Sequence, residues 1–188
     1  MTNFFKNSVR VALCMLFTAC GGSQDTGAHF PPRCGASADA TVLTGTVTAV
    51  HDGDSLTLQI GTTTELIRLQ GIDAPEMAQV FGDAAKQALK RQTFNQTVHV
   101  AYTHRDRYDR LLGQVFSTGC SDVNQQMLHN GLAWFYTAYA CELDSQRRVL
   151  YESAQTQARA QKLGLWRQRE PIAPWVFRNG QDTPGPSC

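Results

Sequence analysis

Three short stretches carry residues able to do chemistry. They are Asp52-Gly53-Asp54-Ser55, Arg68-Leu69-Gln70-Gly71-Ile72-Asp73-Ala74-Pro75-Glu76, and Arg105-Asp106-Arg107-Tyr108-Asp109-Arg110. Each alone has an ordinary explanation. Asp-Gly-Asp is a turn, and Asp-Ala-Pro-Glu is a capped helix entrance. Arg68 shares a strand face with Leu66 and Gln70, and the run at 105–110 is a polar loop with compensating charges. Together they imply more. Asp54 opens a strand just past a hairpin turn and Asp73 closes the strand that follows, so antiparallel pairing can bring the two carboxylates close. Two carboxylates with a main-chain carbonyl make a hard, all-oxygen site, which favours Ca²⁺ or Mg²⁺ over zinc. Glu76, three residues on, can address an attacking water. Arg68 and Arg110 can converge from neighbouring strands, and a guanidinium fork suits phosphate oxygens. A phosphodiester repels a nucleophile and gathers charge on its equatorial oxygens in the transition state. A cation and paired arginines stabilise that charge more than they stabilise the ground state.

Those residues need a scaffold that the rest of the chain must supply. Residues 42–50 are β-branched and roughly alternating, and 55–60 continue that pattern after Asp52-Gly53, a strong hairpin signal. Further strands are expected at 64–70, 98–103 and 111–117. A helix is expected at 80–94, with Ala84, Ala85, Ala88 and Leu89 on one face. A second helix, at 122–130, turns Val123, Met127 and Leu128 inward and stops at Gly131. A third, at 143–163, carries Leu150, Ala154 and Ala158 at helical spacing and ends at Gly164, and a non-helical tail through Trp166, Pro171, Pro174 and Trp175 packs on the body. Three strands before the first helix argue against a parallel βαβ sheet. The class expected is α+β, mainly β barrel: a five-stranded OB-fold barrel with three helices.

Composition bounds the partners. The 188 residues carry 17 Lys and Arg against 16 Asp and Glu, a formal +1. The chain is therefore no polycation, and any contact with nucleic acid must come from local charge or a bound cation. Lys6 and Arg10, followed by the apolar run 11–17, have the layout of an export signal too short to span a bilayer. Residues 1–19 are expected to be removed, 20–41 to form a lipidated N-terminus and flexible tether, 42–178 to fold, and 179–188 to form a tail. Without Cys14 and Cys20, four cysteines remain for an oxidising compartment: Cys34, Cys120, Cys141 and Cys188. Three pairings are possible, and the preferred one ties Cys34 to Cys188 and Cys120 to Cys141. The absence of Cys-x-x-Cys and of ligand-spaced histidines argues against zinc.

The ordered motifs resemble the staphylococcal nuclease (thermonuclease) family, in its exported bacterial branch. They are Val50-His51-Asp52-Gly53-Asp54-Ser55, Ile67 through Glu76, Asp106-Arg107-Tyr108-Asp109-Arg110, Asn130-Gly131-Leu132-Ala133-Trp134 and Gly164-Leu165-Trp166. The likeness runs from about Leu43 to Arg178, and Leu16-Phe17-Thr18-Ala19-Cys20 resembles a bacterial lipobox. The resemblance implies that Asp54 and Asp73 ligate Ca²⁺, with Mg²⁺ as the alternative. Ala74 contributes its carbonyl oxygen where the best-known member has threonine. Glu76 acts on the attacking water, Arg68 and Arg110 bind the scissile phosphate, and Arg107 and Tyr108 contact a neighbouring one. Tyr136 or Tyr139 stacks on a base, and Cys20 is lipidated. The implied activity is Ca²⁺-dependent and sugar-nonspecific. It acts on DNA and RNA, on single strands more readily than duplex, and leaves 3′-phosphates; because water activation and anionic ligands both improve as pH rises, an alkaline optimum is expected. The implied protein is a monomeric cell-envelope lipoprotein, or a secreted one if the lipobox is not used. Two other readings compete: an inert nucleic-acid-binding module on the same barrel, and a structural envelope lipoprotein, which leaves the clustering of acids and arginines unexplained. One departure stands out, since Asp109 replaces the family's glycine. Its carboxylate could draw Arg110 away from phosphate.

Overall fold

A computed structural model describes residues 34–180. The export segment, Cys20, most of the tether, and residues 181–188 lie outside the described residues. Five strands close a barrel: β1 (Thr41–Val50), β2 (Ser55–Ile60), β3 (Thr63–Leu69), β5 (Thr97–Arg105) and β6 (Leu111–Ser117), in spatial order β1-β2-β3-β6-β5. At 10 residues β1 is long enough to serve two neighbours. Thr41–Thr46 pair with β5 and Thr46–Val50 with β2, across a register shift between Val47 and Ala49. Such an irregularity bends a strand and helps close a barrel. Closure on the other side is a parallel pairing of β3 with β6, Arg68 opposite Leu112.

Alternation fills the interior. Val47, Leu56, Leu58, Ile67, Leu69, Val98, Val100, Leu111 and Val115 are all essentially inaccessible, because every second side chain of a strand points to the same face. The helix α1 (Gly82–Thr93) adds Ala85, Ala88 and Leu89 to that core, and α2 (Val123–His129) adds Val123, Met127 and Leu128. Ala84, expected on the buried face of α1, is exposed. In α3 (Ser145–Ala160) the buried stripe is Arg147, Tyr151, Ala154 and Ala158. Leu150 stands 42% exposed, one position off that stripe. Arg147 can be buried because Asp122 pairs with its guanidinium and the Gly35 carbonyl accepts from it at 3.0 Å. That satisfies an otherwise costly buried charge.

Three features depart from the sequence expectations. The first is a two-stranded sheet of β4 (Ile72–Asp73) with β7 (Trp134–Phe135), too short to show in a periodic pattern. The second is helical structure in the C-terminal tail: a 3₁₀ turn at Gly164–Arg167 and a helix α4 (Pro174–Asn179) with proline in its first turn. The third is the disulfide, which joins Cys34 to Cys120, and Cys141 is disulfide-bonded as well. The Cys34–Cys188 and Cys120–Cys141 pairing is therefore replaced. Cys120 sits in the turn between β6 and α2 and the chain before β1 passes beside it, a proximity set by packing. Among the described residues, no helix is long and apolar enough to cross a membrane.

Candidate active site

The β1–β2 connection is built to push Asp54 inward. Asp52 accepts from the Asp54 N–H at 2.9 Å, and His51 N–H donates to the Ser55 carbonyl at 2.9 Å, which makes a tight loop. Gly53 lets this loop lie against the neighbouring chain, since a Cβ there would fall 2.6 Å from the Cβ atoms of Ala74 and Ala85. With the loop pressed down, Asp54 Oδ2 accepts from the Ala74 N–H at 2.6 Å. Asp73 is placed by β4, whose pairing with β7 sets Asp73 opposite Trp134. Glu76 is placed by Gln79, which accepts from the Glu76 N–H at 2.8 Å and donates its own N–H to the Glu76 carbonyl at 2.8 Å.

Arg68 joins these pieces. From β3 its Nη1 donates to the carbonyls of Leu69 and Ile72 at 2.7 and 2.8 Å, and its Nη2 donates to Asp73 Oδ1 at 2.8 Å. Its Nε faces Asp54 Oδ1 at 3.1 Å. One guanidinium thus holds both buried aspartates. The two carbonyl contacts fix its plane, as a rigid fork requires. Asp54 is 6% and Asp73 1% exposed, so water screens these charges little. Burial pushes the Asp54 carboxyl up to about 8, against the opposing pull of Arg68. Asp54, Asp73 and Arg68 do come together, with Ala74 and Glu76 adjoining, but only Asp54 and Arg68 through the pairing of β2 with β3; Asp73 arrives on the separate strand β4, which pairs with β7 rather than with β2.

A second guanidinium, that of Arg178 on α4, joins the cluster. Its Nη2 donates to Asp73 Oδ2 at 2.7 Å, its Nη1 to Glu76 Oε1 at 2.5 Å, and Nη1 also lies 3.3 Å from Asp73 Oδ1. These partners raise its pKa despite burial. Acidic and basic groups therefore alternate along the site: Asp54, Arg68, Asp73, Arg178, Glu76. Arg178 is more than 100 residues from both partners in sequence, and no local pattern announces it.

Arg110 occupies a different setting. Its Nε donates to Asp106 Oδ2 at 2.8 Å and its Nη2 lies 2.7 Å from the same oxygen, at the mouth of β6. Burial alone would raise the Asp106 carboxyl; hydrogen bonds from Arg110 and from the Arg110 and Tyr108 N–H groups outweigh it and lower the pKa. Asp109 takes φ 63°, the left-handed conformation that glycine would otherwise supply. Its side chain is 88% exposed and faces Arg105, with 3.6 Å between charged atoms. Asp106, rather than Asp109, is thus the carboxylate that holds Arg110. Arg107 and Arg110 flank the exposed Tyr108 ring at 4.9 and 5.5 Å.

An aromatic surface borders Asp73. Tyr136 and Tyr139 meet edge-on at 5.0 Å, and Trp175 of α4 lies flat on Tyr136 at 5.1 Å with planes 10° apart. The Tyr136 N–H donates to the Gly71 carbonyl at 3.0 Å, and burial, then the charge of Asp73, raises the Tyr136 pKa. Trp175 also meets Trp134 at 5.6 Å.

The donor set suits a hard divalent cation: two buried carboxylates, with Glu76 and the Ala74 backbone adjacent. Among the described residues, no group of three or more His, Cys, Asp or Glu side chains could hold a metal. A cation here would draw on Asp54, Asp73, the Ala74 carbonyl and water.

Comparison with known proteins gives a consistent picture. A family model described as staphylococcal nuclease homologue matches residues 66–168. An Escherichia coli O157:H7 protein named "Uncharacterized endonuclease" is 40% identical over 135 residues, covering 72% of this chain and 84% of the relative. A Shigella flexneri protein named "Micrococcal nuclease" is 37% identical over 142 residues, covering 71% and 79%. A rice protein named "Probable staphylococcal-like nuclease CAN1" is 38% identical over 112 residues, covering 60% of this chain but 32% of the relative.

Proposed function

Because the chain belongs to the staphylococcal nuclease family, we propose that it is a Ca²⁺-dependent, sugar-nonspecific nuclease that hydrolyses phosphodiester bonds of DNA and RNA. The observation that carries this reading is the shared hold of Arg68 on the buried carboxylates of Asp54 and Asp73, with Glu76 at the rim of the same cluster. Asp54, Asp73 and the Ala74 carbonyl would hold the cation, with Mg²⁺ as the alternative. When bound, it supplies Lewis acidity toward the phosphate.

The chain's own residues do the rest. Arg68, fixed by two backbone carbonyls, presents its remaining donor capacity to a phosphate oxygen without reorganising. Arg110 keeps Nε and Nη2 on Asp106 and offers Nη1 to a phosphate oxygen, so the carboxylate orients the guanidinium toward the anion. Glu76 accepts or orients the proton of the attacking water. Tyr136 or Tyr139 provides base stacking, which tolerates any sequence. Arg107 and Tyr108 sit on the same exposed loop as Arg110, suited to a neighbouring phosphate. Single strands fit this surface better than duplex because stacking needs an unpaired base, and the family's products carry 3′-phosphates.

The same reading extends to the termini. Residues 1–19 would direct export, Cys20 would carry lipid, and the folded part would stand as a monomer at the cell envelope. Two disulfides would suit that oxidising setting.

The test is cleavage of single-stranded DNA, duplex DNA and RNA across a metal series, with wild type and Glu76→Gln. Activity with Ca²⁺ that chelator abolishes and Glu76→Gln depresses is expected. Oligonucleotide binding without cleavage, indifferent to Glu76→Gln, would instead make the barrel an inert binding module. Metabolic labelling with a radiolabelled fatty acid, lost in Cys20→Ser, tests the anchor.

A further inference from the structure

The helix α4 carries two side chains into the site. Trp175 lies flat on Tyr136, and Arg178 engages both oxygens of Asp73 and one of Glu76. The segment is fastened from outside as well. Pro174 and Ala173 are buried, and Gln79, which also positions Glu76, donates to the Ile172 carbonyl at 3.0 Å. The oxygens that Arg178 occupies are those the proposed function assigns to the cation and to the attacking water. Charge makes the consequence plain. A cation requires its carboxylate ligands ionised, so on loading Asp54, Asp73 and Glu76 carry three negative charges, and Arg68 offsets one. The two left over match a divalent cation, and Arg178 now covers one of them. Asp73 Oδ1 already accepts from Arg68 and stands 3.3 Å from Arg178, while Oδ2 accepts from Arg178 at 2.7 Å. A carboxylate oxygen has about two acceptor positions, so few remain for a cation.

We propose that Arg178 is a tethered counter-cation that competes with the divalent metal for Asp73 and Glu76, so that loading the site requires the guanidinium to leave them. The inference rests on the reading of those carboxylates given above. Side-chain rotation suffices for release, because Arg178 is partly exposed and Trp175 anchors α4 independently. The guanidinium thus keeps the buried Asp73 and the rim Glu76 paired before loading, when unpaired charge on Asp73 would be costly, and sets the cation concentration at which the site fills.

The experiment is calorimetric titration of the intact chain with CaCl₂ alone, without nucleic acid, for wild type and Arg178→Gln. Arg178→Gln should bind Ca²⁺ roughly tenfold more tightly, within the usual range of coupling between two ligands of one site. By linkage, a given excess of Ca²⁺ should raise its melting temperature more than that of wild type. Arg178→Lys, which keeps the charge but loses the fork, should fall between them, and it serves if the glutamine variant does not fold. Equal or weaker Ca²⁺ binding by Arg178→Gln would overturn the competition and leave the metal reading standing. Failure of both proteins to bind Ca²⁺ or Mg²⁺ would overturn the metal reading and the competition with it.

Discussion

Replacing Arg68 with leucine removes the charge while keeping most of the bulk, and the structure says what is left behind. Asp73 retains Arg178, at 2.7 Å. Asp54 retains the Ala74 N–H but has no cation at its Oδ1, where Arg68 stood at 3.1 Å. The Leu69 and Ile72 carbonyls each lose a donor. Removing one partner from a buried ion pair typically costs about 3–5 kcal/mol, because the surviving charge stays desolvated. Protonation of Asp54, which burial already favours, limits the loss, so the expected cost is near the lower figure, about 3 kcal/mol. For a chain of this size that is a fall in melting temperature of roughly 6–12 °C. The assay is urea unfolding at neutral pH in chelator, wild type against Arg68→Leu, repeated in an Asp54→Asn background. The arginine should matter less in that background, since the charge it neutralises is gone. A loss below about 1 kcal/mol, the worth of an exposed pair, would refute the claim that Arg68 is the structural clamp of the site. Activity of the folded fraction then reports phosphate stabilisation separately, where a lost donor is worth about 2.7–4 kcal/mol of barrier.

Three further predictions concern the site's surroundings. Tyr136→Ala should weaken binding of a single-stranded oligonucleotide by roughly 1–3 kcal/mol, measured by fluorescence anisotropy in chelator, and unchanged affinity would remove Tyr136 from the binding surface. The Asp106 carboxyl has a folded pKa below its unfolded one, so its stabilising effect is complete above the unfolded value, near 4, and is lost as pH falls through the folded value. The stability gap between wild type and Asp106→Asn should therefore be present at neutral pH and shrink in strong acid, and a gap of the same size at both, by chemical unfolding, contradicts it. Opening the Cys34–Cys120 bond by a double serine substitution should cost about 2–4 kcal/mol, because it closes a loop with a sequence separation of 86; no change in the urea midpoint would show that the bond constrains nothing.

Much of this protein was legible in the residues alone, for a physical reason. Alternation fixes which side of a strand faces the core, and Asp-Gly marks the hairpin, so β1 to β3 and the nearness of Asp54 and Arg68 follow from local rules, whereas Asp73 is placed by the long-range pairing of β4 with β7. Where the tertiary structure decided, the deciding contact joined distant segments. Leu150 and Tyr151 are both apolar enough to face inward, and only the rotation of α3 against α2 and the barrel buried the tyrosine. Cys34 met Cys120 because two loops pass each other at the barrel's end. Arg178 reached Asp73 and Glu76 because α4 folds back over the site. Such contacts are chosen by the packing of the whole chain, which spacing along the sequence does not encode.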